Sequence, residues 1–201
     1  MSELSNSQAP GNKKSGRKVL LILAAIFVLP FTMAVILHLF ELKPSGHSFG
    51  NLIQPPQALQ FPVLHDAQGK AFSAQQWQKI WSVVMVDAAS CAELCQKQAH
   101  MLKQVHTLLN KDAKRVQRIL LVPATANSNA ISALQKQYPG LIVLAGADAE
   151  TVSFAGNFNM AANGVYLVDP LGNLMMSYPA NLEQKSIFAD LKRLLKNSWA
   201  G

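Results

Sequence analysis

Residues 83–109 read VVMVDAASCAELCQKQAHMLKQVHTLL, an apolar run of strand length that passes through Asp87 into a helical pattern. The only two cysteines of the chain, Cys91 and Cys95, stand at the junction. A continuous apolar run such as VVMV fits a strand buried on both faces. After it, Leu94, Met101, Leu102, Val105, Leu108 and Leu109 recur at helical spacing. Ser90-Cys91-Ala92-Glu93 has the pattern of a capping box, which predicts a helix starting at Ser90 with Cys91 in its first helical position. Unpaired amides and the helix dipole there favour a thiolate, although Glu93 opposes them. Cys95 lies one turn further, with α-carbons about 6 Å apart, a distance that a disulfide bridges.

Working outward, RILLVP (118–123) and LIVLAG (141–146) are two more strand-like runs. SNAISALQKQY (128–138) and AETVSFAGNF (149–158) supply helices between and after them. ALQFPVLHDAQGKAFS (58–73) predicts a hairpin around Asp66–Gly69, and GVYLVDPLGNLMMSYP (164–179) two strands joined through DPLGN. LEQKSIFADLKRLLKNSW (182–199) is an amphipathic closing helix. Trp77 and Trp81, four residues apart, predict one packed face of a short helix. The expected fold class is α/β, a thioredoxin-like mixed sheet flanked by helices, with the cysteines at the first strand-to-helix junction.

Ahead of this domain, Val19–Phe40 runs 22 residues without Asp, Glu, Lys or Arg. That is long enough to cross a hydrocarbon core of about 30 Å, and Pro30 and His38 are tolerable in a transmembrane helix. The run exceeds a signal-peptide apolar region and no small-residue cleavage site follows, so an uncleaved anchor is expected. Lys13, Lys14, Arg17 and Lys18 precede it, whereas Glu41 and Lys43 cancel after it. The positive-inside rule then keeps the N-terminus cytoplasmic and exports the rest. In a bacterium this is a single-pass inner-membrane protein with a periplasmic domain. The expected divisions are a tail over 1–18, the membrane helix over 19–40, a Pro- and Gly-bearing linker over 41–57 and one domain over 58–199.

The net charge of +7 is divided between tail and exported part, and the exported basic residues are scattered. KDAKRVQR (111–118) reads as a solvated helix end. Nucleic acid is therefore not an expected partner.

The cysteine pair admits three uses. A staple closing three intervening residues constrains the unfolded chain little. An exchanging dithiol would use Cys91 as attacking and Cys95 as resolving sulfur. Two soft thiolates also suit Cu(I), with the thioether of Met160 as a further soft ligand. Helix geometry keeps His100 half a turn round from Cys91 and His106 about 16 Å along the axis from Cys95. His47 and His65 read as surface residues.

FPVLHDAQGKAFS, VVMVDAASCAELC with its Cys-x-x-x-Cys spacing, and GVYLVDPLGNLMMSY resemble the Sco/SenC family of membrane-anchored, thioredoxin-like proteins over most of residues 58–196. The resemblance implies assembly of cytochrome c oxidase, by delivering copper or by keeping the cysteines of its copper centre reduced. It implies an oxidase subunit or another assembly factor as partner, with Cys91 and Cys95 as the functional pair. The chain departs from the family pattern at Gln96, where a proline follows the second cysteine, and at Ala161, which takes the place of the histidine ligand. It departs again at VPATANSN (122–129), where an Asp-Pro stretch is usual. The alternative reading is a non-catalytic interaction domain whose structural disulfide supports docking to a membrane partner.

Overall fold

The computed structural model describes residues 13–39, 48–66, 68–87, 91–123, 125–146, 149–159 and 163–198. They fall into two units that divide between His47 and Ser48. In the first unit Lys13–Leu39 is a single helix, α1, with Pro30 inside it. Its segment Gly16–Ile36 is 21 residues long and apolar enough to span a membrane. At 1.5 Å per residue it reaches about 32 Å, close to the thickness of a hydrocarbon core.

The second unit is built on eight strands: β1 (Asn51–Ala58), β2 (Leu64–Asp66), β3 (Ala71–Phe72), β4 (Trp81–Val86), β5 (Val116–Pro123), β6 (Leu141–Gly146), β7 (Val165–Val168) and β8 (Asn173–Tyr178). They form one sheet in the order β1-β8-β7-β4-β5-β6-β2-β3. β4, β5 and β6 are parallel, and β7, β8, β1 and β2 add antiparallel pairings on either side. The helices are α2 (Ala74–Trp77), α3 (Glu93–Leu108), α4 (Ser128–Gln137), α5 (Ala149–Ala155) and α6 (Gln184–Asn197), with a 3-10 turn over Asn110–Arg115.

All six residues of β4 are buried, as a run without polar alternation requires when helices cover both faces. Successive side chains alternate between two cores. Val83, Met85 and Leu120 pack with Leu102 and Val105 of α3 and with Ile187 and Leu191 of α6. Val84, Val86, Ile119 and Leu121 face the other way, onto Trp77, Phe154 and Phe158. The mixed sheet flanked by helices expected from the periodicity is the sheet that forms, and the predicted hairpin is β2–β3.

Two expectations are corrected. The linker expected over 41–57 gives way to structure at its end, because Asn51–Ala58 is strand β1, paired with β8. Pro55 and Pro56 sit where the register of this edge strand shifts between Leu52 and Gln57, a position where a missing amide costs no ladder bond. Trp77 and Trp81 do not share a helix face. Trp77 ends the one-turn α2 in one core, while Trp81 opens β4 and faces the other.

Candidate functional site

Cys91 and Cys95 are joined by a disulfide, with their α-carbons 5.0 Å apart. The pair sits where β4 ends and α3 begins, and both residues are buried, at 4 % and 2 % exposure. Their immediate surroundings differ from the expected capping box. The N-cap of α3 is Ala92, in extended conformation and without a side-chain cap, and Glu93 is the first helical residue. Cys91 therefore stands outside the helix, with φ +56. The left-handed turn is costly for a residue with a Cβ, and it is held here by a bond from outside the turn. Asp87, itself buried, accepts the Cys91 amide hydrogen on Oδ1 at 3.2 Å. The helix N-terminus is thus used differently from expectation: the donor group at the cysteine is its own amide, directed at a carboxylate.

Glu93 forms an exposed ion pair with Lys97 at 2.7 Å, one turn along α3. That hydrogen bond and the Lys97 charge hold the Glu93 carboxyl below its usual range. The charge of Glu93 is thereby directed outward to Lys97.

Two residues that matter to this geometry are not singled out by motif. Asp87 is a polar residue ending an apolar strand, and Gln98 is a polar residue on the buried stripe of α3 beside Cys95, Ala99 and Leu102. Gln98 is 4 % exposed and its Nε2 donates to the carbonyls of Asn163 at 2.8 Å and Ala180 at 3.0 Å. The backbone before β7 returns to the end of β4 as well, since the Val86 amide donates to Gly164 O at 3.3 Å. Asn163 and Gly164 are therefore fastened to the disulfide end of the sheet. A groove of about 440 Å³ runs beside α3 between Leu94, Lys97, Gln98 and Met101 on one side and Leu182 on the other.

The candidate histidines among the described residues are not brought to the cysteines. His65 lies on β2, beyond β5 and β6 from β4 in the strand order. His100 is exposed, with Nε2 3.1 Å from Gln104 Nε2. His106 hydrogen-bonds through Nε2 to Val116 O at 3.1 Å, near the far end of α3. Met160, Ala161 and His47 lie outside the described residues. Among the described residues no group of three or more His, Cys, Asp or Glu side chains could hold a metal ion. As a donor set for Cu(I), the described residues supply two sulfurs, available only when the disulfide is reduced.

The sequence matches no curated protein. Among solved structures, yeast Sco1 with copper bound shares 17% identity with a TM-score of 0.61, over 71% of this chain and 95% of that one. BsSco, described as having a disulfide switch and as a member of the Sco family of cytochrome c oxidase assembly proteins, shares 16% identity with a TM-score of 0.56, over 72% and 96%. A putative protein disulfide isomerase from Bacteroides thetaiotaomicron shares 14% identity with a TM-score of 0.57, over 75% and 96%. The expected resemblance to the Sco/SenC proteins holds at the level of the fold. The family model described as transmembrane-like, thioredoxin-like, C-terminal domain matches residues 81–198, more than half of the chain. From the opening of β4 to the end of α6, through the disulfide junction itself, this chain belongs to that transmembrane-like, thioredoxin-like family.

Proposed function

We propose that the chain is a membrane-anchored, thioredoxin-like assembly factor for a copper-containing respiratory oxidase, working by thiol-disulfide exchange at Cys91 and Cys95. The observation that carries this reading is the pairing of the two cysteines at the strand-helix junction, with Cys91 held in a left-handed turn by Asp87. The likeness to Sco1 and BsSco supports the choice of process, and the basic flank of α1 supports a cytoplasmic N-terminus with the domain on the exported, periplasmic side.

In the forward direction the reduced Cys91 thiolate attacks one sulfur of a partner disulfide and forms a mixed disulfide, releasing the partner's other sulfur as thiolate. The Cys95 thiolate then attacks Cys91 Sγ. The Cys91–Cys95 disulfide forms and the partner leaves as a dithiol, so two electrons pass to the partner. A dithiol reductant on the same side of the membrane resets the pair. Cys91 suits the attacking role because it lies outside the helix, and Cys95 the resolving role because it lies within α3. In the reduced state the same two thiolates can hold Cu(I) as cargo, which soft sulfur donors favour.

A second reading, an interaction domain with an inert structural disulfide, is favoured by the burial of both cysteines. The reduction potential of the full chain separates the two. A value nearer about −200 mV fits exchange, and one below about −300 mV fits a structural bond. In cells, a deletion strain that still assembles a fully active, copper-loaded oxidase would remove the first reading. A double Cys91→Ser, Cys95→Ser variant with full function would establish the second.

A further inference from the structure

The side chains of α6 divide by charge as well as by burial. Ile187, Asp190, Leu191 and Leu195 are buried. Lys185, Ala189, Lys192, Arg193 and Lys196 are exposed, and their helical spacing puts them on one face. All but Ala189 are basic, and the only acid in the helix, Asp190, is on the buried side. Lys185, Lys192 and Lys196 make no ion pair among the described residues. Phe188 borders the stripe half-buried, with Lys192 Nζ 5.6 Å from its ring centroid.

The start of the domain is fastened to this same helix, since the Phe49 and Gly50 amides donate to Asp190. The Phe49 side chain is left 64 % exposed, and that of Leu52 on β1 47 %. From Leu39, the last residue of α1, to Phe49 the chain is about ten residues long and reaches at most about 36 Å when fully extended. A unit the size of Ser48–Gly201 is about 40 Å across, from a radius of gyration of about 15 Å. The tether is therefore no longer than the domain is wide, and it leaves the domain from the α6 side. For α6 to face away from a membrane that α1 spans, the tether would have to be drawn out along the whole width of the domain.

We infer that the basic face of α6 lies on the anionic phospholipid headgroups of the membrane that α1 spans, with Phe49 at headgroup level. A basic helix face bordered by exposed apolar side chains is the pattern of a helix that rests on a membrane surface. The attraction of each lysine to an anionic surface fades over a screening length of about 10 Å at about 0.1 M salt. A short tether that starts at α6 keeps this face within reach of that attraction. α3 and α6 share one core, so a domain held by α6 carries the disulfide at the head of α3 in a fixed attitude to the bilayer. The inference rests on the reading of α1 as a membrane anchor.

The test places the full chain in bilayer discs that carry a gadolinium chelate on a lipid headgroup, and follows paramagnetic broadening of the backbone amides by NMR. In discs of phosphatidylcholine mixed with phosphatidylglycerol, the amides of α6 and Phe49 are expected to broaden well beyond those of the β2–β3 hairpin, at the opposite edge of the sheet from β1. Raising the salt from about 0.1 M to about 1 M should even out the broadening, because the screening length falls to about 3 Å. Lys192→Gln is expected to lower the ratio of docked to free domain about fivefold, and the triple Lys185→Gln, Lys192→Gln, Lys196→Gln variant about 100-fold. Uniform broadening of the domain in the anionic discs, or docking that the triple variant leaves unchanged, overturns the inference. Docking that persists in discs of phosphatidylcholine alone overturns the assignment to anionic lipid. If α6 stays remote from the lipid and its amides shift instead with added poly-glutamate, the face belongs to an acidic protein and the inference is overturned. A chain that alkaline carbonate strips from vesicles of the same lipids refutes the anchor and the inference together. An anchored chain with an unbroadened α6 refutes the inference alone.

Discussion

Asp190 of α6 and Arg118 of β5 are both charged and both buried, and the domain treats them in opposite ways. Asp190 accepts from the Phe49 and Gly50 amides, each at 3.0 Å to Oδ2, and from the Tyr178 hydroxyl at 3.1 Å. Burial and the neighbouring Asp190 charge hold the Tyr178 phenol above its usual range, so it donates throughout the physiological range. Gly50 belongs to the same clasp, since a Cβ on it would stand 2.6 Å from the Tyr178 ring. Arg118 has one matched donor and two unmatched ones. A carboxylate saturated by three donors, two from the segment before β1 and one from β8, fastens the start of the domain to its last helix. A guanidinium left short of acceptors is a standing cost to the fold.

The largest effect is expected at the saturated end. Asp190→Leu strands two amides and a hydroxyl, and a loss of about 3 to 5 kcal/mol is expected in denaturant unfolding. A loss under about 1 kcal/mol would break the contrast by showing that the clasp is dispensable. Gln98→Leu comes next, with a loss of about 1 to 3 kcal/mol from leaving the Asn163 and Ala180 carbonyls without their donor. Because Gln98 ties the backbone before β7 to α3 within one turn of Cys95, a measurable change in the disulfide's reduction potential is also expected. An unchanged potential would reduce Gln98 to a structural bond.

Arg118→Met should behave opposite in sign to Asp190→Leu. It is expected to be neutral or to stabilise by up to about 2 kcal/mol in denaturant unfolding, because it removes an unmatched buried charge and keeps the aliphatic volume. A destabilisation comparable to Asp190→Leu would erase the comparison.

The smallest effect belongs to His106. Its folded-state pKa lies below the unfolded value, so between the two the unfolded chain binds more protons and stability rises with pH. The contribution is therefore present above the unfolded value of about 6.5 and is lost as pH falls through it towards the folded value. Unfolding midpoints compared on either side of that window should show a slope that His106→Gln removes and Arg118→Met reduces. The half-exposed ring keeps the effect small through solvent screening.

From β2 onward the order of the strands, the long apolar N-terminal helix and the cysteine junction are legible in residue order. Each rests on local periodicity, on run length or on the adjacency of two sulfurs one turn apart. β1 was not legible, because Pro55 and Pro56 read as tether until the sheet shows that they lie on its edge. The helix start is hidden from the sequence for a related reason. Ser90 and Glu93 have the right spacing for a capping box, but α3 starts after Ala92, and the Cys91 amide goes to Asp87. That choice pairs a strand-end carboxylate with the turn ahead of a helix, and no spacing rule contains it. Asp190 and Arg118 carry the lesson furthest. In sequence each is an ordinary charge, one on an amphipathic helix and one ending a basic run. Which of them is satisfied depends on acceptors and donors brought from distant positions, Phe49 and Gly50 to Asp190 and Pro139 to Arg118. Hydrogen bonding is short-ranged and directional, so only the assembled sheet and its helices decide where a buried charge is matched and where it is not.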